Sequence, residues 1–166
     1  MIHVVTYVEV RPTSRQDGVS GLVRYRELTR TDDGNLRCEV LSRIGQPHQL
    51  VVLEVWKDQQ AFEAHRGSAH AIGLREGIDP IRNAPVDERV HGGVSVGPAH
   101  PGPAGDAVYV VTHVDVIPPR KDDGLAALER LAAASRGAAG NVRKFRDTLG
   151  PMSGALYDER LFNAVD

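Results

Sequence analysis

Seven residues near the start of the chain, V-V-T-Y-V-E-V from Val4 to Val10, return as V-V-T-H-V-D-V from Val110 to Val116. Pro12 is answered by Pro118, Asp17-Gly18 by Asp123-Gly124, and the G-N-L-R that begins at Gly34 by the G-N-V-R that begins at Gly140; every pair lies 106 positions apart (110 − 4, 140 − 34). An ungapped repeat at one spacing means that the chain builds one kind of unit and then starts again. The spacing then changes. L-R-E-G-I-D-P-I, Leu74 to Ile81, is answered by F-R-D-T-L-G-P-M, Phe145 to Met152, and Asp87-Glu88-Arg89 by Asp158-Glu159-Arg160, now 71 apart (158 − 87). The second copy is therefore short by 35 residues (106 − 71), lost between Arg143 and Phe145, either by true deletion or because they are absent from this sequence.

The first copy carries the fuller pattern. Ile2 to Val10 alternates and is β-branched, so it reads as a strand that Pro12 stops. Val19, Leu22, Tyr25, Arg26 and Leu28 give a rough helical stripe, ended by the turn Asp32-Asp33-Gly34-Asn35. Leu36 to Ile44 and His48 to Trp56 read as two strands of a hairpin joined through G-Q-P. Asp58 then stands as a helix N-cap, and Ala61, Phe62, His65, Ala69 and Ile72 recur at spacings of three and four. A last strand spans Ala84 to His91. The expected class is α+β, a ferredoxin-like β-α-β-β-α-β unit. Residues 1–91 form this complete unit, the Gly/Pro-rich 92–106 a linker, and 107–166 a truncated second copy without the β2-β3 hairpin and the start of the second helix. Trp56, His65 and His70 thus occur once per chain. A remaining pair of strands is weak alone, which leads to the expectation of a homo-oligomer.

Composition narrows the partners. A net charge of −2, without runs of one sign, gives no field that would gather nucleic acid or anionic lipid. Cys38 is the single cysteine, so it closes no disulfide within the chain, and nothing beside it in sequence has zinc-ligand spacing; no metal and no cofactor are expected. The strand pattern begins directly after Met1, and no apolar run is long enough to span a bilayer, so the expected compartment is the cytoplasm.

The candidate chemistry centres on His65, in the middle of the apolar stripe of the second helix. An imidazole that has lost its water favours the neutral base. The structural alternative is a core histidine satisfied by one hydrogen bond. Trp56, at a strand end, is either a flat wall for an aromatic guest or a cover for the helix's first turn. Arg37 or Arg75 can hold an anionic substituent, but Arg37 can equally pair with Glu54 across the strands, and Arg75 recurs as Arg146. Tyr7 shares a strand face with His3, Val5 and Glu9, a polar set that suits a pocket, and His70 lies one turn beyond His65.

The strand ending Glu54-Val55-Trp56, the following K-D-x-x-A-F-x-A-H-x-x-S-A-H and the terminal strand after Asp79-Pro80-Ile81 resemble the antibiotic biosynthesis monooxygenase (ABM) family. The resemblance covers residues 1–91 and, in broken form, 107–162. It implies a dimeric α-β barrel, in which Trp56 and His65 stand where many members line the pocket, with His70 a turn further on. It also implies a reaction of O₂ with a quinol or hydroxylated aromatic and no metal or flavin. The haem-degrading branch differs: it uses an asparagine where this chain has Tyr7 and His113, and a tryptophan where it has His65.

Such a reaction needs the substrate as its anion, since a phenolate can pass one electron to O₂, together with a base and a dry pocket. The expectation is a cofactor-independent monooxygenase acting on a small aromatic substrate and O₂, with His65 as general base and Trp56, Tyr7, Arg37, Arg75 and His70 around the substrate. The alternative is a non-catalytic small-molecule-binding or scaffold protein of the same superfamily, which the broken second copy favours. Haem binding is a third reading, against which the missing asparagine and tryptophan count.

Overall fold

A computed structural model describes residues 1–93, 108–135 and 158–165. Of these, 1–92, 108–109 and 161–165 form one compact unit, and 93, 110–135 and 158–160 a second. The linker expected at 92–106 falls almost wholly, and the Arg143–Phe145 junction with the 145–152 segment wholly, outside the described residues.

The first unit is α+β. It runs β1 (Ile2–Glu9), α1 (Arg15–Thr29), β2 (Asn35–Arg43), β3 (Gln46–Trp56), α2 (Gln59–Arg66), α3 (Ala69–Ile78) and β4 (Asp87–Gly92). The strands pair antiparallel in the order β4-β1-β3-β2, so the first and last strands are neighbours. After β5 (Val108–His113), residues 161–164, the end of β6 (Asp158–Ala164), extend this sheet on the free edge of β2, with Leu41 opposite Ala164 and Arg43 opposite Phe162.

Alternation decides which side chains meet the helices. Val8, Val10, Cys38, Val40, Leu50 and Val52 face Leu22 and Tyr25 of α1 and Ala71 and Ile78 of α3 in one buried cluster. Val4 and Trp56 continue that face against Phe62 of α2. Glu54 lies between Val52 and Trp56 on the same side and is buried, 4% exposed. Strand and helix boundaries follow local chemistry. Pro12 opens a short 3-10 turn (Pro12–Ser14) ahead of α1, and the Asp58 side chain accepts from the Ala61 N–H at 2.9 Å to start α2. The hairpin closes at Ile44-Gly45, with Gly45 at φ +80°, rather than through G-Q-P; Gln46 and Pro47 already belong to β3.

The second helix differs from expectation. It is two helices, broken where Gly67 caps α2 and Ser68, in extended backbone, accepts from the Ala71 N–H to start α3. The break resets the helical phase, so the buried residues of α3 are Ala71 and Ile78, while Ile72 is 44% exposed. The stripe drawn through Ala69 and Ile72 therefore ends at His65.

The second unit's described elements sit at the spacings seen in the sequence. The Pro118–Arg120 turn and α4 (Lys121–Ser135) lie 106 residues after Pro12–Ser14 and α1, and β6 begins 71 after β4. In each unit a glycine abuts a valine: a Cβ on Gly18 would meet Val10 at 3.0 Å, and one on Gly124 would meet Val116 at 2.9 Å. Ala127 packs there with Val114, Leu128 and Leu131. Among the described residues no helix is long and apolar enough to cross a membrane.

The turn between α1 and β2 carries Asp32 and depends on Gly34. Its φ is +81°, and a Cβ there would lie 2.6 Å from the Ala61 Cβ. Gly45, also at positive φ, has nothing within 4 Å. Gly45→Ala should cost only the left-handed strain, about 1 kcal/mol, and Gly34→Ala should cost roughly 1–3 kcal/mol more, as α2 is pushed off the turn. Urea denaturation of the two variants against the parent checks the order; equal losses would contradict it.

Candidate functional site

Beneath the helix layer the sheet buries the Glu54 carboxyl, and a chain of hydrogen bonds leads away from it. The Tyr25 hydroxyl of α1 is 2.6 Å from Glu54 Oε1 and 2.7 Å from His65 Nε2. His65 Nδ1 is 2.6 Å from Asp32 Oδ2, and the same oxygen is 3.0 Å from His70 Nε2. Ser68 Oγ is 3.2 Å from that His70 nitrogen. Five side chains from β3, α1, the α1-β2 turn, α2 and α3 thus form one line: Glu54, Tyr25, His65, Asp32, His70. Trp56 lies against it, its ring centroid 4.6 Å from that of His65.

Burial sets the charges. Burial pushes the Glu54 carboxyl up to about 7, against a partial opposing pull from the Tyr25 hydroxyl. Burial, then the neighbouring Glu54, hold the Tyr25 phenol well above its ordinary value, so it stays neutral. Burial also lowers His65, although Asp32 pulls the other way. With His65 neutral, the form that its burial favours, one arrangement gives every acceptor in the line a donor. Protonated Glu54 donates to the Tyr25 oxygen, Tyr25 donates to His65 Nε2, and His65 Nδ1–H donates to Asp32. Shifting two protons along the line gives the partner state, with Glu54 ionised and His65 an imidazolium. Both states carry the same net charge, so a proton can cross this dry layer without burying a new one.

A groove of about 760 Å³ runs between α1 and α3. Tyr25 and His70 form part of its wall, with Arg24, Leu28, Leu74 and Ile78. Gly21, Gly73 and Gly77 leave it room. His65, 4% exposed, is not on that wall but touches two residues that are, Tyr25 by a hydrogen bond and His70 with ring centroids 5.3 Å apart.

The residues named from sequence divide. Trp56 is fully buried beside His65 and off the groove. Tyr7 and Arg37 lie on the opposite face of the sheet, because each is one residue out of register with the helix-facing set. There the Arg89 guanidinium sits 5.8 Å from the Tyr7 ring centroid. Arg37 lies near Glu39, at 3.6 Å, and Tyr109, at 3.3 Å, rather than pairing with Glu54. Arg75 donates to the Arg66 carbonyl at 3.2 Å and is exposed. Sequence reasoning missed Asp32, taken only as a turn residue, and Glu54, taken as an ion-pair partner. A carboxylate on the helix-facing phase of a buried strand was the available signal for Glu54. Nothing local marks Asp32. It also makes a three-donor group with His65 and His70, all donor atoms within 4.8 Å of one another, where no metal-ligand pattern was expected.

A folded-state pKa of about 7, against an ordinary 4.5, makes Glu54 a pH-dependent stability element. The folded chain keeps a proton that the unfolded chain has lost. The stability from that retained proton is full below about 4.5 and disappears as pH rises through about 7, a change of up to about 3 kcal/mol. His65 has the opposite sign, adding stability above its ordinary value and losing it as pH falls. Glu54→Gln should leave the His65 dependence and remove the other, so relative to the parent it gains stability between pH 5 and pH 8. Urea midpoints at the two pH values check this; parallel changes in both proteins would contradict it.

Comparison with known proteins bears on the same part of the chain. Residues 1–76 match the family described as antibiotic biosynthesis monooxygenase. The Bacillus subtilis (strain 168) protein named "Putative monooxygenase YcnE" is 29% identical over 87 residues, 52% of this chain and 92% of its own length. The structure named "Putative antibiotic biosynthesis monooxygenase from Nitrosomonas europaea" superposes with a TM-score of 0.55 at 21% identity, over 57% of this chain and all of its own. A Lactobacillus acidophilus NCFM structure matches over 99% of both chains, with a TM-score of 0.70 at 10% identity, a likeness of fold alone. Residues 1–76, which contain the whole line from Glu54 to His70, match that family in sequence, and the first unit shares the α+β half-barrel fold of these structures.

Proposed function

We propose that the first unit is a cofactor-independent monooxygenase that oxidises a quinol or hydroxylated aromatic with O₂. The observation that carries the reading is the unbroken hydrogen-bond line from Glu54 to His70, two of whose members, Tyr25 and His70, reach the groove. The ring lies between α1 and α3 against Leu28, Leu74 and Ile78. Tyr25 meets its hydroxyl. As the substrate proton moves to the Tyr25 oxygen, Tyr25 gives its own proton to His65 Nε2, and Asp32 at Nδ1 stabilises the imidazolium. His65 is the general base, acting through Tyr25. Arg24, on the groove wall, supplies positive charge near the phenolate, while Arg37 and Arg75, expected to hold an anionic substituent, are not on that wall.

The phenolate gives one electron to O₂, and the radical pair combines at a ring carbon. For a simple hydroquinone the products are a hydroxyquinone and one water. One oxygen atom enters the ring, the other leaves as water, and all four electrons come from the substrate. The second unit is read as an incomplete copy, without a counterpart of Trp56, His65 or His70, so the site occurs once per chain.

One observation favours the binding-protein alternative: His65 is buried off the groove, as a purely structural histidine would be. Oxygen-electrode assays on the full chain with hydroquinones and dihydroxynaphthalenes separate the two. Uptake above autoxidation is expected, falling about 100-fold or more in Tyr25→Phe and in His65→Asn. Binding of the same quinols by equilibrium dialysis without O₂ uptake supports the alternative, and full activity in a folded His65→Asn removes the base.

A further inference from the structure

The oxygen that joins two histidines is the most unusual feature of the line. Asp32 Oδ2 is within 3.0 Å of both His65 Nδ1 and His70 Nε2, and the two imidazoles come from separate helices held by separate caps. Two imidazole nitrogens and one carboxylate oxygen, all within 4.8 Å, are a donor set suited to a borderline divalent transition ion such as Zn²⁺ or Co²⁺. We infer that Asp32, His65 and His70 form a binding site for one such ion.

Three further observations support it. First, the buried ligand already has an outer partner. His65 Nε2 is 2.7 Å from the Tyr25 oxygen, and Tyr25 is 2.6 Å from Glu54, the imidazole-to-carboxylate backing that fixes a metal-bound histidine's tautomer. Second, the site has an entry. The side chains of Asp32 and His70 are 22% and 17% exposed, while that of His65 is 2% exposed, so an ion enters from the solvent side and keeps positions for water. Third, His70 also lines the groove, so the site lies beside it. With Nδ1 given to the ion, Nε2 carries the proton and donates to Tyr25, which donates to Glu54. The metal-bound and metal-free states therefore orient the same line in opposite directions. This last consequence rests on the proposed relay; the binding site itself does not.

The test is Co²⁺ titration of the chelator-stripped full chain, followed by visible d–d absorption and isothermal calorimetry. One ion per chain is expected, displaced by Zn²⁺. Asp32→Asn and His70→Ala, both at partly exposed positions, should each weaken binding at least tenfold while far-ultraviolet circular dichroism stays at the parent's. His3 and His91, paired across β1 and β4, are a second place where an ion could sit. His3→Ala should leave the Co²⁺ spectrum unchanged. No binding at millimolar Co²⁺, or binding lost in His3→Ala and kept in His70→Ala, would overturn the inference. Activity is not the readout, so an inactive protein that binds Co²⁺ through Asp32 and His70 counts against the oxygenase reading alone.

Discussion

A carboxyl group placed on the dry side of a sheet must be answered by other polar groups, and much of the site follows from that requirement. Glu54 stands in the row with Val52 and Trp56, where an unpartnered carboxylate would cost several kcal/mol. The Tyr25 hydroxyl answers it, His65 answers Tyr25, and Asp32 answers His65. Each answer comes from a different element, so the line ties the sheet to the surrounding helices and to the turn. An all-apolar layer would hold them as firmly but would not fix which residues meet. The same requirement leaves Glu54 neutral or ionised at nearly equal cost close to neutrality, which is why the line can pass a proton.

The groove complements the line. Tyr25 belongs to both, since its ring contributes to the wall while its oxygen sits between Glu54 and His65. The break at Gly67-Ser68 places His70 there too. A continuous helix would keep the phase of α2, and the residues turned toward the sheet would be Ala69 and Ile72 in place of Ala71 and Ile78.

Several of these features were legible in the sequence. β-branched alternation from Ile2 to Val10 and the Asp58 cap located their elements. His65 was recognisable as buried because it lies in the middle of an apolar stripe with Ala61 and Phe62. Less visible was the break at Gly67-Ser68, where a serine cap in mid-pattern was outweighed by periodicity on either side. Strand faces were legible only relatively. Alternation puts Tyr7 and Glu9 together but does not say whether that side meets the helices, and the helix-facing residues are Val4 and Val8. Asp32 was invisible for another reason: its meeting with His65 and His70 spans more than thirty residues and depends on how a turn closes over a helix start.

Trp56 adds an optical property to this arrangement. It is the chain's single tryptophan, fully buried, with its ring 4.6 Å from His65. The protein's tryptophan emission therefore originates from one indole, beside the imidazole that the proposed relay would protonate. A cationic ring at that distance quenches an excited indole far more strongly than a neutral one, so under the proposed relay that emission would follow His65's protonation.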